Sequence, residues 1–176
     1  MFKELSFKDK FRCFDPGDTL IFREGINLLV GENGAGKSTI LDIITGKIKG
    51  QIKDIVTIKS SKIEYIAFDF EKDNPRIKGR IDSVQNIISH FLSQGQTNKG
   101  ILKRITNVKD TLIIMDQPET GLSIKAVREL IESLILAKMN GCQIIMSTHH
   151  PYIISSVGDV LSLDIKKWTT SEIYLQ

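Results

Sequence analysis

Residues 31–39 read GENGAGKST, a complete GxxxxGK[ST] run whose chemistry has meaning only between a strand and a helix. Both flanks are present. The apolar stretch Ile26–Val30 comes before it, and Ile40, Leu41, Ile43 and Ile44 come after it. Gly31, Gly34 and Gly36 let the main chain turn without Cβ clashes, so that successive N–H groups and the positive end of the following helix converge on an anion. Lys37 is expected to reach the β and γ phosphates of a nucleoside triphosphate, and Ser38 to offer its hydroxyl to Mg²⁺. Gly31, Glu32, Asn33, Gly34, Ala35, Gly36, Lys37, Ser38 and Thr39 together form the candidate nucleotide-binding set, and the implied fold class is α/β.

Composition sets outer bounds. The 176 residues suffice for one well-buried domain and are too few for two ordinary ones, so a single domain over 1–176 is expected. The formal charge of +3 is mild, and its basic residues are spread along the chain; nucleic acid is permitted and not implied. The densest basic stretch, Arg76, Lys78 and Arg80, reads as a solvated loop or as a set of phosphate contacts. Cys13 and Cys142 are far apart and match no metal-ligand spacing, so they are expected to be reduced, buried thiols in a cytoplasmic protein. The opening MFKELSFKDK carries charge where a signal peptide needs an apolar core, and no run approaches the length that spans a bilayer. Direct insertion into a membrane is not expected.

Along the chain a β-rich opening gives way to alternating strands and helices. Residues 2–7 and 19–22 are strand candidates around a turn at Asp15, Pro16, Gly17 and Asp18, and 55–58 and 63–68 are two more. The helix from Lys37 should stop near Gly46 or Gly50. The polar run EKDNPRIKGR is a loop, and after it Val84, Ile87, Ile88, Phe91 and Leu92 fall on one stripe of a helix starting at Asp82 or Ser83. Residues 112–115 form an apolar strand ending in Asp116. Ser123 caps a long helix that turns Val127, Leu130, Ile131, Leu134 and Ile135 to the sheet and ends at Gly141. Residues 143–147, 160–163 and 173–175 complete the expected strands.

The order of these motifs resembles the ATP-binding cassette (ABC-type) ATPases, from about Ile26 to Leu163. TLIIMDQPE delivers Asp116 where that family's Walker B carboxylate meets Mg²⁺. Upstream, Leu92-Ser93-Gln94-Gly95-Gln96 resembles the LSGGQ signature, which would bring Ser93, Gly95 and Gln96 to the γ-phosphate held by an opposite subunit. Glu119-Thr120-Gly121-Leu122-Ser123 sits at the D-loop position, and His149, closing QIIMSTHHP, matches the switch histidine. The resemblance implies ATP and Mg²⁺ as cofactors, an ATP-dependent head-to-tail homodimer, and a P-loop NTPase fold with an ABC-ATPase-like core, an N-terminal antiparallel β portion and a reduced helical subdomain.

Departures from the family pattern narrow the reading. Gln117 stands where a glutamate usually polarises the lytic water, and a neutral amide cannot act as a base, although it can orient a water. Three explanations stand: a natural DQPE form in which hydrolysis is slow or Glu119 assists, a Glu-to-Gln change that traps ATP, or a lost activity. The first is favoured because Glu119 restores a carboxylate nearby. The strand IEYIAF leads to Asp69 instead of the family's Q-loop glutamine, so Asp69 is either a metal-site residue or an exposed loop acid. Only about twenty residues separate Asp69 from the signature, which leaves little surface for a membrane partner. That shortness, with THHPYIISSVGDVLSLD, resembles the soluble SMC-like and RecF-like branch, read here as a minimal ATP-binding head. Phe11-Arg12-Cys13-Phe14 lies where such heads touch base and ribose, and its two phenylalanines read equally well as core. The functional expectation is an ATP hydrolase that switches a protein effector or a DNA process. The alternatives are a transporter's nucleotide-binding subunit and a non-hydrolysing ATP sensor.

Overall fold

Strand parity organises the molecule. The computed structural model describes residues 1–48, 55–60, 65–69, 102 and 105–176. Six of its strands are β3 (Ile26–Val30), β5 (Tyr65–Asp69), β6 (Leu112–Asp116), β7 (Gln143–Ser147), β8 (Asp159–Ser162) and β9 (Lys167–Thr170). They form one sheet in the order β5-β6-β7-β3-β8-β9. All neighbours are parallel except β8 and β9. The near-continuous apolar runs LIIM and IIM follow from this, because a parallel sheet is covered on both faces. Alternate residues divide between two cores. Leu28, Val30, Ile113, Met115, Ile144 and Met146 pack on one side, while Leu29, Leu112, Ile114, Ile145 and Leu161 pack on the other.

The first side is covered by α2 (Ile124–Met139). The Ser123 hydroxyl accepts the Ala126 N–H at 3.3 Å, and Gly141 closes the end with φ 78°. Val127, Leu130 and Leu134 are buried as expected, whereas Ile135 is 46% exposed. The apolar stripe is therefore one position narrower than its periodicity suggests. On the other side lie α1 (Lys37–Ile44) and a three-stranded antiparallel sheet of β2 (Thr19–Ile21), β1 (Phe2–Phe7) and β4 (Val56–Ser60). β1 is irregular against β4 between Phe2 and Glu4. That shift lets Phe2 and Leu5, three positions apart, both face the core.

A buried glutamine joins the two sheets. Gln143 accepts the Phe2 N–H at 2.8 Å and donates to the carbonyls of Phe2 at 2.7 Å and Arg23 at 2.9 Å. At the far edge, Trp168 donates to the Ile21 carbonyl at 2.8 Å, and the Arg23 guanidinium lies 4.1 Å from its ring centroid.

The chain's last stretch corrects an expectation. Residues 173–175 are not a strand; α4 (Ser171–Tyr174) occupies that region, after the short α3 (Pro151–Ser155) and the edge strand β9. The Thr170 hydroxyl accepts the Ile173 N–H at 3.3 Å, and a cap of that kind favours a helical turn over a strand. Cys13 is a second correction, since it is exposed while Cys142 is buried. The expected helix from 82 or 83, the basic run Arg76 to Arg80, the reduced helical subdomain and the signature residues Ser93, Gly95 and Gln96 lie outside the described residues. Among the described residues no helix is long and apolar enough to cross a membrane.

Candidate functional site

β3 lies between β7 and β8, so the chain builds one half of the sheet after this strand and then crosses it to build the other. In open α/β sheets such a switch point opens a crevice at the carboxyl ends of the strands, and ligands bind there. Four loops of described residues leave that edge. They follow β3 at Gly31, β6 at Asp116, β7 at Ser147 and β8 at Ser162.

The first is the phosphate-binding loop. Gly36 has φ 99° and caps α1, and a side chain there would place its first carbon 2.6 Å from the Cys13 sulfur and from the Phe14 ring. Glycine is required both by conformation and by packing. Lys37 is 6% exposed, and its ammonium donates to the Gly31 and Glu32 carbonyls at 2.8 Å each. Burial pushes its pKa below the ordinary lysine value, and the Asp164 and then the Asp116 carboxylates pull it back up. Glu32, Asn33, Gly34 and Ser38 are exposed at the loop surface, Ala35 is half-buried, and Thr39 is buried. Arg12, with φ 54°, donates to the Thr39 hydroxyl at 2.8 Å. The two readings of the FRCF run thus divide: Phe14 is core, stacked on Phe7 at 4.4 Å, while Arg12 stands beside the loop.

The loops after β6 and β7 are bonded together. The Ser147 hydroxyl donates to the Asp116 carboxylate in a short hydrogen bond. Ser147 also receives the Gln117 N–H, at its hydroxyl (3.0 Å) and at its carbonyl (3.2 Å). These bonds hold Gln117 at φ 43°, a left-handed conformation that costs a non-glycine residue on the order of 1 kcal/mol. One Glu119 carboxylate oxygen accepts from the Thr148 hydroxyl at 2.7 Å and from the His149 N–H at 3.1 Å. The other, Oε2, is buried without a hydrogen-bond partner among the described residues. Gln117, Glu119 and His149, three residues expected from sequence, are therefore brought into one hydrogen-bonded region. Ser147 and Thr148, which tie it together, were not expected; the pair of hydroxyls just before HHP was the available signal. His150 carries a buried Nδ1 without a hydrogen-bond partner among the described residues.

The donor set also suits a divalent cation. Among the described residues there is no group of three or more His, Cys, Asp or Glu that could hold a metal ion. Mg²⁺ characteristically binds through one or two protein oxygens plus phosphates and waters. Ser38, in the first turn of α1, and Asp116, at the end of β6, fit that pattern. Asp69 pairs in register with Asp116 across β5 and β6, so its main chain lies at the same level of the sheet.

A family model described as an AAA domain matches residues 9–149. The chain belongs to that family. This AAA domain is an ABC-type P-loop ATPase, and similar proteins carry the same core. The zinc import ATP-binding protein ZnuC of Photobacterium profundum is 26% identical over 179 residues, spanning 88% of this chain and 69% of the relative. ABC transporter F family member 3 of Arabidopsis thaliana is 29% identical over 192 residues, spanning 89% of this chain and 26% of the relative. Two solved structures share the fold. A nucleotide-free ATP-binding cassette from an ABC transporter has a TM-score of 0.59 at 13% identity, covering 92% of this chain and 87% of the other. A dimeric post-hydrolysis ATP-binding cassette bound to ADP and Pi has a TM-score of 0.58 at 16% identity, with 97% of each chain covered.

Proposed function

We propose that this ATPase is an ATP-driven association switch. Two copies pair head to tail, with each nucleotide between the 31–39 loop of one copy and Ser93, Gly95 and Gln96 of the other, and hydrolysis releases them. The observation that carries this reading is the convergence, at one edge of the sheet, of a buried lysine, a metal-competent aspartate and a carboxylate tied to the segment after β7 that bears His149. Lys37 and the loop amides bind phosphate, and Ser38 and Asp116, with Asp69 as a candidate third oxygen donor, would hold Mg²⁺. The cation would supply charge neutralisation between the β and γ phosphates. Gln117 and His149 orient the attacking water, and Glu119 is the carboxylate available to take its proton. With an amide at 117 the chemistry is slow, so the closed pair is long-lived and ATP acts as a timed switch in shape on a protein effector or a DNA process.

The solution mass by light scattering, with and without Mg·ATP at fixed protein concentration, tests this. A doubling of mass only with Mg·ATP is the expected result. A monomer under both conditions, with ATP binding confirmed by calorimetry, overturns the head-to-tail pairing.

A second reading, a transporter's nucleotide-binding subunit, is favoured by the similarity to the zinc import ATP-binding protein. Stoichiometric co-purification with a multi-span membrane protein would select it.

The depressed pKa of Lys37 gives a pH expectation. A lysine whose folded pKa lies below its unfolded value leaves the unfolded chain with more bound protons, so its contribution to stability increases as pH rises. Phosphate binding needs the ammonium and changes in the opposite sense. Mg·ATP affinity is expected to fall with rising pH over a window that lies below the range in which an exposed lysine deprotonates. Calorimetric titrations across that window should show proton uptake on binding, and a flat profile would contradict the assignment.

A further inference from the structure

The loop after β8 meets the phosphate-binding loop from behind. Leu163 donates its N–H to the Val30 carbonyl at 2.9 Å, extending the parallel pairing of β3 and β8 and carrying Asp164 to the start of the loop. There Asp164 Oδ1 accepts the Glu32 N–H at 3.1 Å. Both carboxylate oxygens lie so close to Gly31 that a first side-chain carbon at that position would sit 3.2 Å from each. Gly31 has φ 148°, so conformation and space both favour glycine there.

Two sets of forces therefore hold the 31–32 peptides. Lys37 pulls on the Gly31 and Glu32 carbonyls, and Asp164 holds the Glu32 N–H. Lys37 must also serve the triphosphate. An anchor independent of Lys37 keeps the loop's main chain in place while that ammonium divides its hydrogen bonds between loop and ligand. We propose that Asp164 is a positioning residue that holds the Glu32 N–H beside Gly31 and so preorganises the phosphate-binding loop. This rests on the reading of residues 31–39 as the nucleotide site. The carboxylate carries an opposing effect, because a negative charge near a triphosphate repels it. Asp164 is exposed, so water and salt weaken that repulsion, while its hydrogen bond fixes the geometry of the loop.

Acceptor and charge can be separated by substitution. Asp164→Asn keeps an oxygen that can accept the Glu32 N–H and removes the charge; Asp164→Ala removes both. Titration of Mg·ATP by calorimetry, with Lys37→Ala as a reference and melting temperatures measured without nucleotide, is the test. The expected pattern is a Kd for Mg·ATP raised about fivefold or more in Asp164→Ala, a size consistent with losing one hydrogen bond. Asp164→Asn should bind within about twofold of the parent, and both Asp164 variants should melt within a few degrees of it. Where turnover is measurable, the loss should appear in KM and not in kcat. Parent-like binding by Asp164→Ala, with binding lost in Lys37→Ala, overturns the positioning role. So does equal weakening in the Asn and Ala variants, which would assign the effect to charge and not to the acceptor. Parent-like binding by Lys37→Ala would instead overturn the nucleotide site itself.

Discussion

Gln117→Glu is expected to raise ATP turnover by about 100-fold, the lower end of the range that a positioned general base contributes. The main chain at 117 is held by two acceptors on Ser147, at 3.0 and 3.2 Å, and neither depends on the side chain. A carboxylate introduced there should keep the loop geometry and add a proton acceptor where the amide can only orient a water. The closed pair should shorten its lifetime in proportion, so the mass increase with Mg·ATP should become transient. Turnover is read by phosphate release at saturating Mg·ATP. A variant that binds ATP as tightly as the parent and gains nothing would support the non-hydrolysing sensor, because the rest of the machinery would then be incompetent.

Lys37→Ala is the second large effect, an expected loss of Mg·ATP affinity of about 100-fold or more. Each hydrogen bond to a charged group is worth about 1.5–3 kcal/mol, and this ammonium is expected to serve two phosphates. Fold stability should respond much less. Lys37 is buried and its pKa is depressed first by that burial, so removing the cation relieves a desolvation penalty while it frees two loop carbonyls. Calorimetric titration measures the first effect and thermal unfolding without nucleotide the second. Unchanged affinity would remove the basis for placing a nucleotide on the loop.

Local chemistry was legible in the sequence wherever one short segment carried it. GENGAGKST sits on the expected strand, loop and helix; LIIMD is a buried strand delivering Asp116; Ser123 and Gly141 bound α2 as their residue types require. Strand ends differ from expectation by one or two residues, as at Val56–Ser60 and Tyr65–Asp69, where hydrogen-bond partners and not propensity decide the boundary. What the sequence did not disclose was mainly contact between distant segments. Asp164 lies 132 residues from Glu32, and an aspartate in LSLDIKK has no local mark of its role. Thr148 and Glu119 are 29 residues apart, and their bond exists only because β6 and β7 are neighbours. Cys13 departs from expectation for a related reason: residue type favours burial, but the FRCF turn faces its ring at Phe14 inward and leaves the sulfur against Gly36, at the surface. The 173–175 segment reads as a strand on apolar content alone, and the Thr170 cap decides it as helix.

The position of β3 between β7 and β8 has a consequence for how the molecule is made. The phosphate-binding loop is complete in the first quarter of the chain, yet the partners that flank its strand arrive more than a hundred residues later: Leu28 pairs with Met146, and Val30 with Ser162. Pairings this remote carry a loop-closure cost that must be met before they give any return, and they place the fold among slower-forming topologies. ATP has no site to recognise until both neighbours have docked, so it is a ligand of the finished fold alone. Its binding energy then adds directly to the stability of that fold, and nucleotide supply becomes a determinant of how much folded protein is maintained.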